Sequence, residues 1–342
     1  MKYCFRLIIP LVAVCSVFTS CEVEFDPNGE WRPTTVIYGL MDQDDDTTFI
    51  RVQKGFVGVG NYLEFAKQKD SVYYKPEEID VFMVSYYPWE KENVRDTFWF
   101  NYTETYSKPE GDFYSEKAPV YYCVTKGRLS YGEELKKEYK IIVRNNKTGG
   151  QTYATTRLIG NYDIISPNYS MRFQRDGDNY ILKCQWYNIN SSSAVNGEGI
   201  TAKMYQPVIR FFYVENGNET YVDVPLPYKL NTSTQYGVVM NSNVYLQDIL
   251  NGIKKELNYE AVRRWTEKNV FCELYINSCD LSMFEYYGNS LQQGNYLTDN
   301  GIYTNVNNGY GLFASRRRAV KVEFTETDNR FVEGLKDLDI GF

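Results

Sequence analysis

Short runs that alternate apolar and polar side chains recur along this chain, each closed by a turn of Asn, Asp or Gly. Residues 79–87 alternate around Val81, Met83 and Ser85. Runs at 97–102, 120–126, 139–145 and 151–158 continue the pattern, the last two joined by Asn145-Asn146-Lys147-Thr148-Gly149-Gly150. A period of two places successive side chains on opposite faces of an extended strand, so each run buries one face and wets the other. Residues 35–40 and 48–54 flank the acidic turn Met41-Asp42-Gln43-Asp44-Asp45-Asp46. That turn lacks the glycine and distal Glu of an EF-hand and reads as a solvated hairpin tip. Further on, Asp176-Gly177 and Asn216-Gly217 sit between alternating runs, which is a hairpin signal. Many short strands with polar turns predict a mainly β chain of two β-sandwich, Ig-like domains.

Helical spacing is confined to the second half. Leu246, Ile249, Leu250 and Ile253 share a helix face. Asp280 is placed to cap a helix reaching Leu291, with Leu281, Phe284 and Tyr287 on one side. The expected organisation is a leader over 1–20, an acidic tether over 21–32 and a first sandwich over 33–160. A β-rich domain follows over 165–326, with helices near 244–268 and 280–292, and 327–342 forms a tail.

Composition excludes several chemistries. The net charge of -7 and pI near 5.0 argue against nucleic acid, which needs a basic stripe. The absence of histidine removes His-based triads and most imidazole metal sites, and no Walker loop or dinucleotide-binding glycine motif occurs. No catalytic residue, metal ligand or cofactor is expected. Cys123, Cys184, Cys272 and Cys279 each sit among apolar or aromatic residues and read as buried thiols, although four cysteines allow three pairings. Cys272 and Cys279, an odd number of residues apart, would face opposite sides of one strand. Tyrosine is unusually abundant at 32 residues, with adjacent pairs at 73–74, 86–87, 121–122 and 286–287. In a strand such a pair turns one ring inward and one outward. Most serve packing, and exposed rings can stack on sugars or hold peptide. Tyr286 and Tyr287 are the candidate contacts among them.

The first residues carry an address. Lys2 and Arg6 precede an apolar run over 7–18 that is too short to span a bilayer, and Thr19-Ser20 are small residues before Cys21. The site resembles a bacterial lipoprotein cleavage site of the looser form common in Bacteroidota, with Cys21 as the lipidated (palmitate-bearing) residue. Glu22, Glu24 and Asp26 then resemble the acidic export signal that sends such lipoproteins to the cell surface of the outer membrane.

The C-terminal region strengthens the likeness. Leu274-Tyr275-Ile276-Asn277-Ser278, Phe284-Glu285-Tyr286-Tyr287 and the element from Asn305 to Phe313 follow one another. This succession resembles the tail of a Bacteroidota outer-membrane lipoprotein family of undefined function, which closes on N-[IV]-x-N-G-x-G-[ILV]-F. The resemblance implies an outer-membrane lipoprotein, some relatives being encoded with TonB-dependent transporters. Within the element, Asn305, Asn308, Gly309 and Gly311 read first as a turn motif, because Asn and Gly tolerate positive φ. Arg316-Arg317-Arg318 follows. It reads as a solvated strand edge, or alternatively as a contact for an anionic sugar, lipid headgroup or protein partner. Three functions are compatible with these residues. The first is a non-enzymatic lipoprotein, accessory to a TonB-dependent (SusCD-like) importer, that binds a glycan or peptide or docks to the transporter. The others are a carboxylate-based hydrolase and a structural or adhesion protein of the envelope.

Overall fold

The computed structural model describes residues 34–55, 62–106, 111, 114–129, 132–189, 199–233, 235–257, 261–292, 303–338 and 340–342. Residues 1–20, which read as a leader, Cys21, the acidic residues Glu22, Glu24 and Asp26, and most of the polar stretch at 190–199 lie outside them. Strands hold 49% of residues and helices 16%, so the chain is mainly β as its alternation predicts.

The N-terminal half contributes β1 (Thr35–Met41), β2 (Thr47–Lys54), β3 (Ile79–Tyr86), β4 (Asp96–Trp99), β5 (Asn101–Tyr106), β6 (Ala118–Val124), β7 (Glu138–Asn145) and β8 (Gln151–Arg157). One layer runs β4-β3-β7-β8, and the strands β1-β2-β6-β5 form the other. Strict alternation sends Ile37, Met41, Ile50 and Val52 inward against Val81, Met83, Phe98 and Ile141, and all of these are buried.

The C-terminal half contributes β9 (Ile164–Ser166), β10 (Ser170–Met171), β11 (Gln174–Asp176), β12 (Asn179–Tyr187), β13 (Met204–Glu215), β14 (Asn218–Pro225), β15 (Lys229–Leu230) and β16 (Val239–Tyr245). They are followed by β17 (Arg263–Trp265), β18 (Cys272–Cys279), β19 (Gly309–Phe324) and β20 (Glu326–Thr327). Three longer helices are α1 (Leu246–Glu256), α2 (Leu281–Gln292) and α3 (Asn329–Asp337). The hairpin turns fall where Asn216 and Gly217 take positive φ, joining β13 to β14, and where Gly177 does so between β11 and β12. A second core gathers Trp186, Tyr205, Phe211, Leu274, Ile249 and Phe331.

One strand ties the halves together. The first part of β19 lies parallel to β1, from Thr35↔Gly309 to Met41↔Ser315. Its second part lies antiparallel to β18, from Cys279↔Arg316 to Cys272↔Phe324. The result is one continuous path, β14-β13-β18-β19-β1-β2-β6-β5. Core membership divides at Leu158 and Ile159, except that Val306 and Phe313 reach back into the first core.

The motif from Asn305 to Phe313 makes that crossing feasible. The Asn305 amide donates to the Phe313 carbonyl (2.7 Å) and accepts from its N–H (3.0 Å), as a neighbouring strand would. A Cβ on Gly309 would lie 2.3 Å from the Thr35 oxygen, and one on Gly311 (φ +117) 1.9 Å from the Ile37 oxygen. Only glycine lets β1 and β19 approach so closely. Asn308 takes positive φ and donates to the Gln151 carbonyl of β8 at 3.2 Å.

Three expectations are corrected. Residues 321–324 by themselves read as a short late strand, and they are the end of β19, which is 16 residues long. Residues 327–342 are not a tail: α3 buries Phe331 and Leu335 completely, as does Ile340 after it, because an apolar pair four residues apart finds the open side of the second core. The helix expected near 244–268 ends at Glu256, and β17 instead pairs with β13, Glu215 opposite Arg263. Trp265 packs edge-on to Phe211 there, so ring packing outweighs local helical preference.

Because Phe313 is fully buried in the first core although it lies far along the sequence, Phe313→Ala should lower the unfolding free energy by about 3–5 kcal/mol in a urea titration. A loss below about 1 kcal/mol would contradict the shared-strand arrangement.

Candidate functional site

A cleft of about 720 Å³ opens where β19 changes partner. Its floor is one face of three adjacent strands. Register sets Met204, Cys279 and Arg316 in one transverse row and Gln206, Asn277 and Arg318 in the next but one, on the same face. The intervening row, Tyr205, Ser278 and Arg317, faces the opposite way and is buried. Met283 and Tyr287 stand one turn apart on α2 and form one wall, and Tyr228 stands across from them. Tyr228 and Tyr287 are 54% and 52% exposed, so both are open to a ligand.

The β1–β2 turn closes the remaining side. Arg316 meets Asp45 at 3.1 Å and Asp42 at 3.5 Å, and Arg317 meets Asp44 at 3.5 Å and bonds Asn161. The acidic turn is a solvated hairpin tip only at Asp44, Asp45 and Asp46, which are exposed. Asp42 and Gln43 are buried against β19, since the arginines beyond the end of β1 need counter-charges that no strand partner supplies. The arginine run is a solvated strand edge only in part: beyond Ser315 no strand takes the outer flank of β19 and Arg316 and Arg318 are exposed, but β18 pairs with all three residues and Arg317 is buried. Arg318 is exposed, lies over the Tyr275 ring at 4.7 Å, and makes no ion pair within 4 Å among the described residues.

Burial pushes the Asp42 carboxyl up to about 6; the Asp44 N–H holds it down, the neighbouring Asp45 raises it further, and Arg316 lowers it. Burial also pushes the Cys279 thiol up to about 12, so the floor cysteine is an inert thiol at neutral pH. Cys123, Cys184, Cys272 and Cys279 are all free and buried, with Cys272 in the second core and Cys279 on the cleft face. Among the described residues, no group of three or more Cys, Asp or Glu side chains is placed to hold a metal ion.

The candidates singled out in the sequence separate into two places. Tyr287, Arg316 and Arg318 come together in the cleft, and Arg317 borders it from the buried opposite face. Tyr286 turns away to meet Tyr38 edge-on at 6.3 Å. Asn305, Asn308, Gly309 and Gly311 lie along β1 and β8, where Asn308 borders a smaller hollow of about 270 Å³. Gln206, Asn277, Met283, Tyr228 and the acidic turn went unrecognised as cleft residues. The complementary charge of Asp44-Asp45-Asp46 and Arg316-Arg317-Arg318 was the available signal for the last of these. No protein-family model matches the chain, and no curated protein matches its sequence.

A carboxyl raised on folding is stabilising when protonated, and that contribution fades as pH climbs from the unfolded value through the folded one. For Asp42 the rise from 3.8 to about 6 corresponds to about 3 kcal/mol. Between pH 4 and pH 7 the wild type should lose up to about that much stability relative to Asp42→Asn, measured by paired denaturation series. Parallel pH profiles would contradict the buried-carboxyl account.

Proposed function

We propose that the protein is a non-enzymatic, lipid-anchored protein of the outer-membrane surface that holds a ligand in this cleft on behalf of a TonB-dependent, SusCD-like nutrient importer. The observation that carries the reading is the cleft, lined by two exposed tyrosines and by charged residues of β19 and the acidic turn. Its volume falls in the range that small-molecule and oligomer sites occupy. Tyrosine offers large contact area at low entropic cost, and its hydroxyl remains wet. The address rests on Cys21 followed by Glu22, Glu24 and Asp26. A lipid anchor beside an importer raises effective concentration, so modest affinity suffices for capture.

A carboxylate-based hydrolase is the second reading, and Asp42 is what favours it: an acid near 6 in a cleft is what proton transfer needs. Asp42 is only 5% exposed, its Oδ1 accepts from the Asp44 N–H and its Oδ2 faces Arg316. Burial in a structural turn accounts for its shift, and binding is the preferred role. A purely structural or adhesive role is favoured by a smooth surface with one large apolar patch rather than by a concave site.

The test joins location to use. Whole cells carrying the wild type should lose the protein to external protease, and Cys21→Ala should release it from washed membranes. The paired change Tyr228→Ala with Tyr287→Ala should leave anchoring intact while reducing importer-dependent nutrient uptake. Unchanged uptake on deleting the whole gene would refute the accessory role, and turnover abolished by Asp42→Asn would refute the non-enzymatic one.

A further inference from the structure

We infer that the cleft takes a carboxylated glycan, with Arg318 as the contact for the sugar carboxylate. This rests on the reading of the cleft as a ligand site and names the class of ligand. Three arginines border the cleft, and two are already occupied: Arg316 by Asp42 and Asp45, and the buried Arg317 by Asp44 and Asn161. Arg318 is exposed and has no ion pair within 4 Å among the described residues. The nearby carboxylate of Asp223 is committed to Arg210 through two hydrogen bonds of 2.7 and 2.9 Å. Asp42, Asp44 and Asp45 of the turn are paired with Arg316 and Arg317, which leaves the Arg318 guanidinium as the cleft group able to take a carboxylate through paired N–H donors.

The neighbours of Arg318 select a sugar. Gln206 and Asn277 share its transverse row, one on each successive strand. Each amide both donates and accepts, as ring hydroxyls require. The rings of Tyr228 and Tyr287 supply the apolar faces on which a pyranose stacks. A peptide is disfavoured by the floor itself. At the cleft, β18 pairs with β13 on one side and β19 on the other, so its backbone groups are spent in the ladder. Recognition of a peptide main chain by strand addition needs a free edge; the face that forms the floor offers none, and the flank that β19 leaves unpaired beyond Ser315 is crossed by the contacts of Arg316 and Arg317 to the acidic turn.

The experiment is calorimetry on the mature chain from Glu22 onward with oligosaccharides of galacturonate, glucuronate and mannuronate. Their methyl esters, neutral gluco-oligosaccharides, sulfated oligosaccharides and acidic hexapeptides complete the set. At least one oligouronate should bind, and methyl esterification should weaken it by about tenfold or more, the loss of one charge-assisted contact. Arg318→Gln should weaken the free acid by a similar factor and leave the ester unchanged. Tyr287→Ala should weaken both. Added salt should weaken the acid more than the ester. Equal binding of acid and ester, insensitivity to Arg318→Gln, preference for sulfated sugars or peptides, or no binding by any oligouronate would each overturn the inference. Loss of binding in Tyr287→Ala without any effect of Arg318→Gln would retire the carboxylate contact while leaving the cleft as the ligand site. Oligouronate binding with unchanged nutrient uptake would retire the importer role instead.

Discussion

The buried carboxylate of Asp280 holds the junction on which the fold and the cleft both depend. It is 4% exposed. Its Oδ1 accepts from the Met283 N–H at 2.9 Å, capping α2. Its Oδ2 accepts from the Ser315 N–H and the Thr156 hydroxyl, each at 3.0 Å, and the Ser315 hydroxyl stands 3.4 Å away. The Asp280 N–H in turn donates to the Ser315 carbonyl at 3.0 Å. One group therefore fastens β8 of the first half to β19 and to the start of α2, at the residue where β19 leaves β1. Burial raises its pKa, and the hydrogen bonds oppose that rise. Leaving any of these buried donors unmet costs about 1–3 kcal/mol, which makes the arrangement specific as well as stable.

The cleft follows from this junction. Up to Ser315 the strand has β1 beside it; from Arg316 onward that flank is open, and β1 has already turned into its acidic loop. The same turn that ends β1 supplies the counter-charges for Arg316 and Arg317. Capping by Asp280 starts α2 at this point, and its exposed face carries Met283 and Tyr287 over the floor. A single change of strand partner thus creates the space, its charges and one of its walls.

Legibility in the sequence tracks how local each signal is. The inward residues of β3 were readable because alternation decides them, and so were the Asn216-Gly217 and Gly177 turns, whereas β7 buries Ile141, Ile142 and Val143 in succession. Tyr121 is buried and Tyr122 half-buried, as alternation requires, whereas Tyr73 and Tyr74 are both buried because they lie in no strand. β19 was not readable. Two glycines and three arginines obscure its alternation, and a bulge shifts its phase: Leu274 pairs with Val322 but Ile276 with Ala319. Its length is imposed by partners elsewhere in the chain. The site divides likewise. Tyr287 and the arginine run drew notice by composition, while the Arg316–Asp45 contact joins residues 271 positions apart. The Asn305–Phe313 element drew notice as a motif, and its role is to let two strands touch rather than to line the cleft.

The central claim is that one shared strand couples the two cores. Native-state hydrogen exchange on the wild type and Gly311→Ala tests it most directly, since a Cβ there collides with the Ile37 carbonyl and loosens β1 from β19. The account predicts faster exchange in both β1 and β18, with the two segments opening at a common free energy. Acceleration confined to β1, with β18 unchanged, would contradict it.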